Sequence, residues 1–281
     1  MNLHAQPARE ARSAGRPRAP VDQAAGLRQM FATRSLRFVP VVANAGARCG
    51  GLVLERLCTA YASIGLHTLV VDASDQARPP CELAEFDLAE GIEHLSDGVS
   101  YMPARGLPLK HVDVRGHCDS LLDAIAEASP QSDIVLVHAS ANELVRLFGQ
   151  RARGHNLRPL IFMNDLAEGL RDAYAAVKVL AQRGGWMAYD LLVCASATSR
   201  QAQAVADRLA HCSDAFLGAA QRDWQLLDPR ERAEADVHPR FQELAQSLAR
   251  QALSVPLGDS AFEHLVSPGA ALPARRAPVL N

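Results

Sequence analysis

The stretch LRFVPVVANAGARCGGLVLERLCTAYASIGLHTLVVDAS, residues 36–74, decides how this chain folds. Leu36–Val42 is an apolar run of strand length. Asn44-Ala45-Gly46-Ala47-Arg48-Cys49-Gly50-Gly51 is a short turn that carries three glycines. Leu52–Ile64 places apolar residues at helical spacing, Gly65 stops that helix, and Thr68–Asp72 is a second apolar strand ending in an acid. Strand, glycine turn, helix, strand is the order in which phosphate-binding loops are built. No lysine and no Ser or Thr stands at the positions where such a loop needs them.

The same rhythm continues downstream. Val99–Met102, Ile134–Val137, Leu160–Met163, Leu191–Cys194 and Ala215–Gly218 read as further strands, and Asp119–Glu127, Glu168–Gln182, Ser199–Cys212 and Pro239–Leu253 as helices. Near residue 170 the helical spacing is clearest, with Leu170, Ala173, Tyr174, Val177, Leu180 and Ala181 on one face. Continuous apolar strands separated by amphipathic helices imply an α/β fold, Rossmann-like, with a mostly parallel sheet covered by helices on both faces. This domain is expected over residues 36–253. Pro40 conflicts with a central strand, because it removes a ladder donor, so a bend is expected there. In Pro239–Leu253 the apolar face of Phe241, Leu244, Ala245, Leu248 and Ala252 reads as domain packing, with a membrane anchor as the other reading. Asp259–Val266 carries few cations and makes a poor interfacial helix.

The ends differ in composition. Residues 1–20 hold Arg9, Arg12, Arg16 and Arg18 among Ala, Pro and Gly, which cannot bury a core and are expected to form a disordered arm. Residues 21–34 read as a short helix. Asp22 is its N-cap, Leu27, Met30 and Phe31 form its apolar face, and Gly26 weakens it by about 1 kcal/mol. Residues 254–281 read as a flexible tail rich in proline.

Bulk composition excludes several classes. Hydrophobic residues make up 48 %, enough for a sizeable core, while the net charge of −2 and the 5 % of aromatic residues argue against a nucleic-acid surface. The six cysteines (49, 58, 81, 118, 194 and 212) include no C-x-x-C pair, and the ten histidines show no metal-binding spacing. Reduced thiols in a cytoplasmic protein are the simplest reading. No run of about 18 apolar residues is present to span a bilayer, and no apolar signal core precedes the domain.

Two segments carry a family resemblance. Asp22-Gln23-Ala24-Ala25-Gly26-Leu27-Arg28 resembles the D-Q-A-x-x-L-R motif that precedes the ATPase domain of the flagellar-number regulators of the MinD/ParA superfamily, the FlhG/FleN type. Gly169–Leu180, with Asp172-Ala173-Tyr174 and Lys178-Val179-Leu180, is similar to that family's D-A-Y-x-x-x-K-V-L segment, and Gly65 and Asp72 fall in the family's register. The resemblance spans roughly residues 20–220. It implies a P-loop NTPase fold, a dimer formed around ATP and Mg²⁺, and at most peripheral membrane contact. It also implies a motif helix that stimulates the GTPase of a signal-recognition-particle-type partner of the FlhF kind. Gln23 would be the residue delivered toward the GTP site, with Leu27 and Arg28 as anchors beside Asp22 and Ala24. A glutamine amide suits that task because it donates and accepts at once, and so can orient an attacking water. The other reading of residues 21–34 is a helix that merely caps the domain. Basal-body or transcription-regulatory proteins are further partners that the resemblance suggests, and the expected location is the cytoplasm, the inner face of the membrane or the cell pole.

Against the family pattern the nucleotide chemistry is missing. Gly50 stands at the position of the catalytic lysine, Gly51 at that of the Mg²⁺-binding hydroxyl, Ala45 at the signature lysine, and His138 at the Walker B acid. Ser74 replaces a second acid, and only Asp72 survives. Each charge-assisted bond to phosphate contributes about 1.5–3 kcal/mol, so losing lysine and hydroxyl together forfeits roughly 3–6 kcal/mol, or about 10²–10⁴ in affinity. The expectation is a pseudo-ATPase without cofactor, monomeric or weakly dimeric. Asp72 is expected to cap or to pair with Arg48, and His138 to be a satisfied histidine at the mouth of the pocket. The backbone amides of Gly46–Gly51 with Arg48 keep weak ATP and Mg²⁺ binding open. Two rival readings are a MinD/ParA-type ATPase using Arg48 and Asp72 in an atypical loop, and a ParA-like adaptor of another cell-surface system.

Overall fold

Seven strands run parallel, and the order in which they lie beside one another sets where every loop falls. In chain order the elements are β1 (Ser35–Val42), α1 (Gly50–Ala62), β2 (Thr68–Asp72), β3 (Glu93–Ser96), β4 (Val99–Pro103), the single turn α2 (Leu107–Lys110), α3 (Ser120–Ala128), β5 (Ile134–Ala139), α4 (Ala141–Phe148), β6 (Leu160–Asn164), α5 (Ala167–Val179), β7 (Ala188–Cys194), α6 (Ala202–Leu217), β8 (Ala220–Leu227), α7 (Pro239–Gln251) and β9 (Leu253–Pro256). The sheet order is β3-β4-β2-β5-β1-β6-β7-β8, with β9 against β1. Only the β3–β4 and β1–β9 pairings are antiparallel. The structure, a computed structural model, describes residues 34–231 and 238–257. The arm at 1–20, the motif helix with Asp22, Gln23, Ala24, Leu27 and Arg28, and the tail beyond 257 lie outside the described residues.

Alternation along β1 builds two cores. Leu36, Phe38 and Val42 join one cluster with Leu122 and Ile125 of α3, Leu144 and Leu147 of α4, Ala173 and Val177 of α5, and Ala206 and Leu209 of α6. Val39 and Val41 join the other, with Leu57 and Tyr61 of α1 and Leu244 and Leu248 of α7. Helices therefore cover both faces, as the continuous apolar strands require. The predicted apolar face of α7 is spent inside the protein, where Tyr61 also donates to the Ala245 carbonyl at 3.0 Å. No helix of the described residues is long and apolar enough to cross a membrane.

Pro40 is accommodated by a change of neighbour. On one side β1 pairs with β9 over Ser35–Phe38 and with β6 only at Val41 and Val42. The proline falls between the two pairings, and the strand runs through it. β9 also carries the sheet past residue 253, where a tail was expected. Leu253, Val255 and Leu257 are buried, and four residues ending in proline are too short to announce a strand.

One predicted strand is corrected. Ala215–Gly218 is the end of α6 and its cap. Gly218 has a φ of +66°, and its amide and that of Ala219 bond back to Asp214 and Ser213 at 3.0 Å each, the glycine-terminated helix end that apolar spacing imitates as a strand. The true strand, β8, lies just beyond, and its polar, half-exposed sequence hid it. Helix α4 was also unread, although Ser140-Ala-Asn-Glu143 spells a capping box, with both reciprocal bonds formed.

A carboxylate is sealed in β7. Asp190 is fully buried, with Oδ1 3.5 Å from Arg158 Nη1. Burial pushes its carboxyl up to about 6, against the pull of Arg158. A carboxyl raised on folding contributes stability fully below its unfolded value of 3.8 and loses it as pH rises through about 6. Asp190→Asn is expected to flatten the stability–pH curve across that window by up to roughly 3 kcal/mol, read by urea unfolding over a pH series.

Candidate functional site

The site sits where β1, β2, β5 and β6 end. The β1–α1 turn is tied down by its own polar atoms. Asn44, buried, donates to the Phe162 carbonyl at 3.1 Å and accepts from the Gly46 amide at 3.0 Å. Asn164, at the end of β6, donates to the Gly46 carbonyl at 3.0 Å and accepts from the Leu166 amide at 3.1 Å. Two asparagines thus hold both backbone groups of Gly46. A Cβ at Gly46 would lie 2.5 Å from Asp172 Oδ2, and one at Gly169 would strike Asn164 Oδ1. The two glycines let α5 close on the turn, bringing the D-A-Y segment against the loop.

His138 fills the centre. In the parallel register Asp72 of β2 lies beside His138 of β5, which lies beside Val41 of β1. His138 Nδ1 is 2.9 Å from Asp72 Oδ1, the Ser74 amide donates to the same oxygen at 3.1 Å, and the Tyr101 hydroxyl donates to Oδ2 at 3.3 Å. Asp72 therefore pairs with His138 and not with Arg48. Arg48 is exposed and makes no hydrogen bond or ion pair among the described residues. The expected satisfied histidine is satisfied at one nitrogen only, because Nε2 is buried without a partner. Burial alone would raise the Asp72 carboxyl, but the bond and charge of His138 with the Ser74 amide outweigh it and hold the carboxyl below its ordinary value. Burial and Asp72 together push the Tyr101 hydroxyl up to about 12.

The two departures from a nucleotide loop fit each other. A Cβ at Gly50 would lie 3.3 Å from Phe162 Cζ and 3.4 Å from His138 Cε1, while the His138 and Phe162 rings are tilted at 5.9 Å. The stem of a lysine at position 50 would meet these rings. Gly51 faces open space and offers no hydroxyl, Ala45 is exposed and chargeless, and the N-cap Cys49 makes no side-chain cap bond. The residues present do not fit ATP with Mg²⁺ as a P-loop holds them. Among the described residues no cluster of His, Cys, Asp and Glu has the geometry of a metal site.

Sequence reasoning missed three contributors. The contacts of Asn44 with Phe162, of Asn164 with Gly46 and of Cys49 with Cys194 leave no local signal, since the partners in each lie over a hundred residues apart. The Cys194 thiol donates to Cys49, which lowers Cys49 and, with burial, raises Cys194.

Comparison with known proteins agrees with this architecture. No protein-family model and no curated protein matches the sequence. Among solved structures, a plasmid partition protein from Borrelia burgdorferi is similar with a TM-score of 0.50 and 11 % identity, over 77 % of this chain and 97 % of that one. Cobyrinic acid a,c-diamide synthase from Mycobacterium smegmatis with bound ADP and magnesium gives a TM-score of 0.52 and 14 % identity, over 76 % and 94 %. A putative plasmid partition protein from Borrelia burgdorferi B31 bound to AMPPNP gives 0.50 and 9 % identity, over 83 % and 100 %. The chain has the α/β fold that these plasmid partition proteins and the diamide synthase share.

His138→Phe keeps a ring in the space but ends the bond to Asp72. A carboxyl depressed on folding contributes stability above its unfolded value of 3.8 and loses it as pH falls through the lower folded value. The variant is therefore expected to lose about 1–3 kcal/mol near neutral pH, with the deficit shrinking as the medium is acidified past that value, measured by paired denaturant titrations.

Proposed function

We propose that this protein is a regulator of flagellar number or placement, of the FlhG/FleN type, built on a MinD/ParA domain that works without nucleotide. Its active element is the D-Q-A-x-x-L-R segment at Asp22–Arg28, which binds a signal-recognition-particle-type GTPase and presents Gln23 to the attacking water. The observation that carries the reading is the conjunction of that motif with a domain of this fold beginning at Ser35.

The pseudo-ATPase half of the reading is supported by the packing of His138 and Phe162 against Gly50. The stem of a lysine at position 50, the group that would reach a nucleoside triphosphate, would press against those two buried rings. The rival in which Arg48 and Asp72 run an atypical ATPase is disfavoured because His138 and Tyr101 already engage both oxygens of Asp72. Without a nucleotide clamp the domain is monomeric or weakly dimeric and acts in the cytoplasm, with any membrane contact peripheral.

Two measurements test it. Calorimetric titration of the full chain with ATP and Mg²⁺ is expected to show no micromolar binding, and such binding would overturn the pseudo-ATPase reading. The full chain is expected to stimulate GTP turnover by an SRP-type GTPase, with Gln23→Ala losing about tenfold or more of that stimulation. Equal stimulation by the variant would remove the mechanism, and no stimulation at all would favour an adaptor role.

A further inference from the structure

The opposite edge of the sheet, where β6, β7 and β8 begin, carries a cleft of about 860 Å³. It is formed by the segments preceding β6 and β7 together with the start of β8. Arg153, Arg158, Arg183 and Arg222 line it with His155, and no Asp or Glu does. Four guanidinium groups on one concave wall, of which Arg158 is paired with the carboxylate of Asp190 behind it, concentrate positive potential at one place on a chain of net charge −2.

The fold spends local regularity to place these groups. β7 and β8 pair Tyr189 with Gln221 but Asp190 with Asp223, so Arg222 is the extra residue of a β-bulge, a device that re-aims a side chain. Arg183 lies in the π-turn Leu180–Gly184 and is steadied by a 2.8 Å bond to Asn142 Oδ1. Arg158 is fixed by Ser247 Oγ at 2.7 Å and by Asp190. The side chains of Arg153 and Arg222 make no hydrogen bond or ion pair among the described residues. Two donors at the cleft, Arg158 Nε and Trp186 Nε1, and the neighbouring acceptors, both oxygens of Asp190 and Gln221 Oε1, are buried without hydrogen-bond partners.

We propose that this cleft binds a small polyanion carrying two or more phosphate-type groups, at a site separate from the β1–α1 turn. Arginine forks match phosphate oxygens in paired bonds, the volume is that of a small-molecule pocket, and the exposed side chains of Arg153 and Arg222 stand at the cleft with no hydrogen-bond or ion-pair partner among the described residues. The near-neutral charge of the whole chain disfavours a nucleic-acid backbone as occupant.

The chain has two tryptophans, so Trp224→Phe leaves Trp186 as the reporter. Titrating this full-length variant with inorganic tripolyphosphate at constant physiological ionic strength is expected to change Trp186 emission saturably. Adding Arg153→Gln and Arg222→Gln is expected to weaken binding at least tenfold with unchanged thermal stability, because neither side chain bonds within the described fold. Arg48→Gln is expected to leave the affinity unaltered. The absence of a saturable change, equal affinity in the double-arginine variant, or loss of binding in Arg48→Gln would each overturn the proposal. So would sulfate binding as tightly as tripolyphosphate (an adventitious ion only), or duplex DNA binding through the same arginines where tripolyphosphate does not. None of these outcomes bears on Gln23 or the partner GTPase, so this site and the proposed function stand or fall separately.

Discussion

The hydrogen bond between Asp72 and His138 is the constraint around which the site is arranged. It joins adjacent strands in the middle of the sheet, at the edge where a ParA/MinD-type fold places its loops. A carboxylate in this setting is costly unless its oxygens are met, and His138, the Ser74 amide and the Tyr101 hydroxyl meet them. A glycine at position 50 leaves the ring room, where a Cβ would stand 3.4 Å from His138 Cε1. Gly50 and His138 are thus two parts of one packing arrangement.

The stability of the fold lies away from this site. Apolar strands covered on both faces by helices form two cores whether or not a phosphate occupies the loop. The β1–α1 turn is organised from within the protein, by Asn44 and Asn164. The same scaffold carries charge at its other edge, where a bulge in β8 and a π-turn after α5 give up regular hydrogen bonding and place arginines along one cleft. Fold and chemistry are separable in this protein, and the sites lie on loops and irregularities at both ends of a conventional sheet.

The sheet was largely legible in the chain. Buried parallel strands such as Ile134–Ala139 and Leu160–Asn164 are continuous apolar runs, and α5 shows helical spacing, so local pattern and final environment coincide. Reading failed where the environment is mixed. β8 is an edge strand with polar faces, β9 is four residues long, and Ala215–Gly218 is apolar enough to mimic a strand although a left-handed glycine ends a helix there. The capping box at Ser140 was readable and went unread.

For the site, the sequence by itself determined which residues stand at the β1–α1 turn and at the ends of β2 and β5: Gly50, Gly51, Asp72 and His138. Tertiary structure alone decided which of them meet. His138 and Asp72 are 66 residues apart, Asn164 is 118 residues from the glycine it holds, and the arginines of the opposite cleft come from three separate segments. Local composition encodes which residues want to be strand, helix or turn, since that preference is set by near neighbours along the chain. Which polar groups must satisfy one another after burial is set by strand order, and strand order exists only once the chain has folded.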